Sequence, residues 1–81
     1  MIRATSNTPI GTVVRYEGNY RNIRTLIEGP IIHYDNGCLV LIVQKQIGNF
    51  WELGDTASGS PTHFIIVSSI PLEEQINNIE L

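Results

Sequence analysis

The sequence predicts an all-β (mainly β) fold, either a small antiparallel barrel or a strongly bent sheet of five to six strands, with a short C-terminal helix. Isoleucine, valine and threonine together supply 24 of the 81 residues, and β-branched residues are enriched in strands. Turn residues separate short apolar runs at intervals of about 8 to 12 residues, as in small sandwiches and barrels. The length leaves room for one hydrophobic core, so we expect a single domain over residues 1–81.

The first part of the chain predicts a loop followed by a hairpin. Residues 1–10 form the predicted N-terminal loop, and residues 11–16 the first strand. Glu17-Gly18-Asn19 has turn composition, so a second strand is expected from residue 20 to residue 28. Gly29-Pro30 is expected to end that strand.

The pattern Gly-x-Val-Val-x-Tyr-x-Gly-x-Tyr, from Gly11 to Tyr20, resembles the first hairpin of SH3-like small barrels. The resemblance covers about ten residues. It implies an SH3-like barrel architecture and no particular function, because such barrels carry many unrelated activities.

Asn36-Gly37 predicts a second hairpin, because this dipeptide supplies the two positive φ angles of a two-residue turn. That turn also sets the register of the two strands. The predicted pairs are Asp35 with Cys38, Tyr34 with Leu39, His33 with Val40 and Ile32 with Leu41. Alternation then predicts a core face with Ile32, Tyr34, Leu39, Leu41 and Val43.

The remaining chain predicts two more strands and a helix. The run from Leu39 to Val43 is apolar on both faces and is expected to be a central, covered strand. Residues 47–53 predict a weaker strand, residues 54–62 the longest loop, and residues 63–68 a sixth strand. A short C-terminal helix is expected over residues 72–80, where apolar residues recur at helical spacing.

The charge distribution bears on the classes of partner. All five basic residues lie in residues 1–45, residues 46–81 contain five acidic residues and no basic one, and the net charge is −3. A net acidic chain disfavours nucleic acid, because each phosphate contact needs a cation. The sequence contains no apolar run long enough to span a membrane and no signal peptide, so we expect a cytoplasmic protein without membrane contact.

A non-enzymatic module for protein–protein contacts, acting as a homo-oligomer, is the function that we favour from the sequence. Only 16% of the residues are charged, and a small domain with little charge often gains stability by assembling. Aromatic residues are frequent anchors of protein interfaces. The predicted interface residues are Phe50, Trp51, Leu72, Ile76 and Ile79.

The alternative is a site for a small anionic ligand or nucleotide. Guanidinium groups bind phosphate and aromatic rings stack on bases. With a turn at residues 17–19, Arg15 and Arg21 would lie close across the hairpin, where an anion or a carboxylate would relieve their repulsion. The predicted ligand-binding residues are Arg15, Tyr16, Tyr20, Arg21 and Arg24.

A third reading concerns His33, Asp35 and Cys38, which share the other face of the second hairpin in the predicted register. These residue types occur in thiol-dependent catalysis and in metal sites. An aspartate before Asn-Gly is ordinary turn chemistry, however, and a single cysteine on a strand usually packs as a small hydrophobe. We therefore predict no catalytic residue, metal or cofactor, and we expect no enzyme.

Overall fold

The computed structural model describes residues 2–68 and contains six strands and one short 3₁₀-helix. The predicted helix over residues 72–80, with Leu72, Ile76 and Ile79, lies outside the described residues. The strands are β1 (Val13–Tyr20), β2 (Ile23–Asp35), β3 (Cys38–Ile42), β4 (Lys45–Ile47), β5 (Thr56–Gly59) and β6 (Ile65–Ser68), and the 3₁₀-helix is Pro61–His63.

The six strands form one antiparallel sheet in the order β5-β3-β2-β1-β6, and β4 pairs with β2 off this path. The predictions of a mainly β fold and of five to six antiparallel strands are confirmed. Over residues 2–68 the end strands β5 and β6 do not pair with each other, so this part of the chain forms an open sheet and not a closed barrel.

Strand β2 organises the sheet because it pairs with three other strands. Its first half pairs with β1 along one edge and with β4 along the other, and its second half pairs with β3. The prediction that Gly29-Pro30 ends this strand is wrong. Ile31 donates its amide hydrogen to Thr12 on the β1 side, so the nitrogen of Pro30 faces the other edge, between the end of β3 and the start of β4. The missing N–H of Pro30 therefore removes no backbone hydrogen bond of the sheet.

Gly29 allows the backbone of β2 to approach the chain between β3 and β4. A Cβ atom built on Gly29 would lie 1.7 Å from the carbonyl oxygen of Ile42. Gln44 donates its amide hydrogen to the carbonyl oxygen of Glu28 at 2.8 Å in the same place. Only glycine fits at this close approach. Gly29, which was expected to end the strand, is instead required for β2 to continue past this point.

The turn of the first hairpin lies further along the chain than predicted. Residues 17–19 belong to β1, and the pairing of Tyr20 with Ile23 leaves Arg21 and Asn22 as a two-residue turn. Both turn residues have positive φ, 51° and 66°. The prediction of a turn at Glu17-Gly18-Asn19 is therefore wrong, because turn composition does not exclude an extended backbone.

The Asn36-Gly37 turn is confirmed, and so are three of the four predicted pairs. Asp35 pairs with Cys38, Tyr34 with Leu39 and His33 with Val40. The fourth is wrong, because a register shift places Ile31 opposite Leu41. Ile31 is consequently fully buried where Ile32 was expected. A bulge of this kind adds one residue to a strand and reverses which side chain faces the core.

Two predictions for the second half of the chain are also wrong. Of the predicted strand over residues 47–53, only Ile47 lies in a strand, at the end of β4 (Lys45–Ile47), and the rest is a loop. The predicted loop over residues 54–62 contains β5, whose residues Thr56–Gly59 pair with β3. The sequence of β5 is polar and contains glycine, so it is not typical of a strand. Backbone pairing holds this segment in the sheet. The sixth strand is present but begins at Ile65.

The hydrophobic core contains side chains from the N-terminal segment and from β1, β2, β3 and β5. Strand β3 lies between β2 and β5, as expected for a central strand, although Val40 and Ile42 on its outer face remain partly exposed. In residues 2–68 no helix is long and apolar enough to cross a membrane. The buried apolar residues are Ala4, Val14, Ile27, Ile31, Leu39, Leu41, Val43, Ala57 and Phe64.

Candidate functional site

Three aromatic side chains meet at the end of the β1–β2 hairpin. The ring centroids of Tyr20 and Phe50 are 4.8 Å apart in an edge-to-face arrangement, and those of Tyr20 and Trp51 are 5.5 Å apart. Phe50 and Trp51 contact each other at 6.2 Å. The guanidinium carbon of Arg21 lies 5.5 Å from the centre of the Tyr20 ring. We call Tyr20, Arg21, Phe50 and Trp51 the tip cluster.

Local backbone structure brings these distant residues together. Tyr20 is the last residue of β1, so its ring projects beside the turn. After β4 the chain passes close to β2 at Gly48, which has a φ of 114° and would place a Cβ atom 3.2 Å from the carbonyl oxygen of Arg24. Phe50 and Trp51 follow at once, and Trp51 also packs against the core. One side of the cluster is thereby anchored and the other is left on the surface.

The surface around the tip cluster is apolar and accessible. Tyr20 is 38% exposed and Ile23, its partner across the hairpin, is 37% exposed. Leu53, two residues after Trp51, is 66% exposed. Exposed aromatic and aliphatic side chains next to an anchored ring are typical of protein contact sites.

The five residues predicted to bind an anion do not form one site. Tyr16 faces inward and contacts Phe64, with ring centroids 6.2 Å apart. Arg15 pairs with Glu28 across the sheet and not with Arg21, so the predicted approach of these two arginines is wrong. Tyr20 and Arg21 belong to the tip cluster, and Arg24 forms an exposed ion pair with Glu17 at 3.2 Å.

Glu28 is the carboxylate that accounts for Arg15. Its side chain is only 8% exposed, and its Oε1 accepts a hydrogen bond from Nε of Arg15 at 2.8 Å and forms an ion pair with Nη2 at 2.8 Å. Its other oxygen lies 3.6 Å from Nζ of Lys45. The three side chains form a row across β1, β2 and β4. A basic residue that the sequence suggested for ligand binding thus has a structural partner.

A groove of about 410 Å³ lies on the surface between β1, β6 and the N-terminal segment. Arg3 donates a hydrogen bond to the carbonyl oxygen of Thr62 at 2.9 Å and pairs with Ile65 in an isolated bridge, which fixes this segment beside β6. Three of its lining side chains carry nitrogen donors and one carries a carboxylate. The residues that line the groove are Arg3, Arg15, Glu17, His63 and Ile65.

His33, Asp35 and Cys38 lie on the outer face of the β2–β3 hairpin. His33 and Asp35 are exposed and Cys38 is a partly buried free thiol. Across residues 2–68, no three histidine, cysteine, aspartate or glutamate side chains are grouped as a metal ion would require. The hairpin brings these residues to one face without forming a metal site there.

Tyr34 makes a structural contact that the sequence did not suggest. Its hydroxyl donates a hydrogen bond to the carbonyl oxygen of Thr8 and fixes the N-terminal loop against the β2–β3 hairpin. Burial raises the pKa of the Tyr34 hydroxyl above its ordinary value. The phenol is therefore held in its neutral, donating form.

Comparison with known proteins adds no assignment to this geometry. The chain matches no protein-family model, and no curated protein or solved structure is significantly similar to it.

Proposed function

We propose that this protein is a non-enzymatic, cytoplasmic binding module that acts through protein–protein contacts as a homo-oligomer. The tip cluster is its contact surface. The observation that carries the proposal is the contact of Tyr20, Phe50 and Trp51 at the accessible end of the β1–β2 hairpin. Small β domains often present binding residues at strand ends and loops, as the tip cluster does.

Physical properties of the tip cluster favour a protein partner. Tyrosine and tryptophan contribute large contact areas at low entropic cost, because each has few rotatable bonds. Anchoring of Trp51 against the core lowers that cost further. Arg21 adds a cation stacked on Tyr20, and arginine beside aromatic residues is enriched at energetically dominant positions of interfaces.

Light scattering on the full chain tests the proposal. The wild-type protein is expected to form an oligomer of defined mass at micromolar concentration. Tyr20→Ser removes the ring that contacts both Phe50 and Trp51, and is expected to raise the dissociation constant at least tenfold. Ile10→Ser is the matched control, because Ile10 is 51% exposed and lies in the N-terminal loop. Circular dichroism verifies that both variants are folded.

A monomeric wild-type protein throughout the micromolar range would contradict the proposed self-association. Equal loss of assembly in Ile10→Ser and Tyr20→Ser would place the contact somewhere other than the tip cluster.

The groove beside Arg3 supports a second candidate function, the binding of a small anionic ligand. Its volume of about 410 Å³ lies in the range of about 300 to 1,000 Å³ that is usual for small-molecule sites. Arg3, Arg15 and His63 supply donors for a phosphate group, although Glu28 already binds Arg15.

Calorimetric titration with inorganic phosphate and with a nucleoside monophosphate tests this candidate. Arg3→Gln is expected to abolish binding, and Arg21→Gln, outside the groove, is expected to leave it unchanged. No heat of binding to the wild-type protein, or a loss confined to Arg21→Gln, would exclude the groove as the site.

A further inference from the structure

The edge of β1 that faces away from β2 is covered for only part of its length. Strand β6 pairs with this edge as far as Arg15, which lies opposite Ile65. Beyond Arg15, no strand of residues 2–68 pairs with this edge, although β1 continues to Tyr20. From Arg15 to Tyr20 the strand extends about 16 Å beside an empty strand position.

The backbone groups of Glu17 and Asn19 face this empty position. Tyr20 and Ile23 close a two-residue turn, and the closing pair of such a turn exchanges hydrogen bonds across the hairpin. Alternation then directs every second residue of β1 toward β2, and the residues between them toward the free edge. Thr12 accepts a hydrogen bond from β2, which agrees with this alternation. The N–H and C=O groups of two residues are therefore available to an added strand.

The groove lies where the empty position meets the start of β6. Arg15 and Glu17 of β1 line it together with Ile65 of β6 and with His63 of the 3₁₀-helix, which interrupts the extended chain before β6. Arg3 lines it from the other edge of β6. A strand added beside β1 would run end to end with β6, so it would have to end or leave the sheet at this groove.

The charges of the groove determine which chain end fits there. Arg15 is paired with Glu28 and Glu17 with Arg24, so these two lining charges are balanced. Within residues 2–68, Arg3 forms no ion pair, and its guanidinium donates a hydrogen bond to an uncharged carbonyl group of the 3₁₀-helix. A carboxylate is attracted to such a guanidinium, whereas an α-amino group is repelled by it.

We propose that the free edge of β1 binds an extended peptide antiparallel to β1, and that the groove holds the C-terminal carboxylate of the peptide beside Arg3. Antiparallel addition directs the C-terminus of the peptide toward β6, because β6 itself runs antiparallel to β1. A parallel peptide would place its α-amino group there instead. Backbone pairing supplies the affinity in recognition by strand addition. The surface differs from the tip cluster and the partner is a peptide and not a second copy, so this site goes beyond the proposed function.

A chemical-shift titration of the full chain tests this site. The probe is an N-acetylated hexapeptide of alternating valine and threonine with a free C-terminal carboxylate, and the control probe is the same peptide with a C-terminal amide. The free acid is expected to shift the backbone amide resonances of Glu17 and Asn19 and to bind at least fivefold more tightly than the amide. Arg3→Gln should reduce the affinity for the free acid to that for the amide.

Lys45→Gln is the matched control for Arg3→Gln. It also removes one positive charge, but Lys45 lies beside Glu28 and does not line the groove. Its affinity for the free acid is therefore expected to equal that of the wild-type protein.

Asn19→Pro tests the backbone pairing. Proline removes an N–H that faces the free edge, and it removes no hydrogen bond to β2. This variant is expected to lose binding, whereas Asn19→Ser, which retains the N–H, should bind as the wild-type protein does. If circular dichroism shows that Asn19→Pro is unfolded, the two peptides titrated into the wild-type protein and Arg3→Gln still test the site.

Three results would overturn this assignment: equal affinity for the free acid and the amide, no binding of the free acid at millimolar concentration, or shifts confined to residues away from β1 and the groove. Binding of inorganic phosphate without binding of the peptide would also overturn it, and would leave the groove as a site for small anions. A monomeric wild-type protein that binds the free acid would support the peptide site and contradict the proposed self-association.

Discussion

Arg21 occupies a backbone conformation that costs an arginine free energy. Its φ of 51° lies in the left-handed region, which costs a residue with a Cβ atom about 1 kcal/mol or more. Asparagine tolerates this conformation better, as Asn22 and Asn36 do in the two hairpin turns. The strained residue is also the one whose side chain covers Tyr20. This coincidence supports a contact role for Arg21, because strain of this kind often occurs at functional sites.

Arg21→Asn is therefore expected to change stability and association in opposite directions. The free energy of unfolding of the monomer should rise by about 0.5 to 1 kcal/mol as the strain is relieved. Association should weaken, because the cation over Tyr20 is lost. Denaturant titration and light scattering measure the two effects. Asn22→Gly relaxes the same turn and should leave association unchanged; equal weakening in both variants would contradict a contact role for the Arg21 side chain.

Glu28 and Glu17 provide a direct comparison of a buried and an exposed ion pair. Glu28→Gln removes the charge that faces Arg15 and Lys45 from a side chain that is 8% exposed. We expect a loss of about 1 to 3 kcal/mol in the free energy of unfolding, which a urea titration measures. Glu17→Gln, whose pair with Arg24 is exposed, should cost no more than about 0.5 kcal/mol. Equal costs would show that burial of Glu28 has no energetic effect.

The raised pKa of Tyr34 predicts that the folded protein loses stability at alkaline pH. Its pKa is raised in the folded state by burial, so the folded protein retains the phenolic proton at pH values where the unfolded chain releases it. This contribution is present below the unfolded pKa of about 10 and is lost as the pH rises through the folded pKa. Tyr34→Phe should lower the free energy of unfolding at neutral pH by about 1 kcal/mol through loss of the bond to Thr8.

The pH dependence provides the check on Tyr34. The difference in the free energy of unfolding between wild type and Tyr34→Phe should decrease as the pH rises above about 10. A constant difference up to alkaline pH would contradict the role of this proton.

At the level of strands, the features that could be predicted from the sequence are those that a single residue pair determines. Asn36-Gly37 fixed both a turn and a register, because few sequences accept two positive φ angles. Glu17-Gly18-Asn19 has turn composition but lies inside β1, because glycine also adopts an extended backbone. The register shift at Ile32 and the strand status of β5 depend on neighbouring strands, and no local pattern indicates them.

The candidate site, like the strands, could be predicted from the sequence only in part. Phe50 and Trp51 could be selected from the sequence as contact residues, and Tyr20 and Arg21 as ligand-binding residues. Their union in one cluster depends on the path of the chain at Gly48, some 28 positions after Tyr20. Burial of Glu28 beside Arg15 likewise depends on the pairing of β1 with β2 and could not be read from either residue alone.

Gly29 gives a test of the continuous β2 strand. Gly29→Ala is expected to lower the free energy of unfolding by about 2 kcal/mol or more, because the new methyl group would overlap a backbone carbonyl that a side-chain rotation cannot move. Gly18→Ala is the control, since its Cβ atom would meet only the end of the Tyr16 side chain at 3.0 Å. Thermal denaturation of both variants measures the effect, and equal losses would contradict the crossing at Ile42.

For the whole molecule, size and charge favour assembly. A chain of 81 residues buries a modest core, and its basic and acidic residues are concentrated in different parts of the sequence. Contact between the basic part of one chain and the acidic part of another would bring opposite charges together.

Assembly predicts that thermal stability depends on protein concentration. Because a partner binds only the folded chain, the melting temperature should rise by about 3 to 5 °C for each tenfold increase in concentration. Differential scanning calorimetry over a hundredfold range measures this. Tyr20→Ser should melt at a temperature that is independent of concentration. A constant melting temperature for the wild-type protein would contradict assembly.

The sheet topology also has a consequence for the order in which the protein folds. The β2–β3 hairpin closes a turn of two residues, whereas pairing of Arg15 in β1 with Ile65 in β6 joins segments that are far apart in the chain. The entropy of closing the longer loop costs about 3 kcal/mol more. We therefore expect the central hairpin to belong to the folding nucleus and β6, with the bridge to Arg3, to join after the transition state. Weakening β6 would then accelerate unfolding and leave the folding rate almost unchanged.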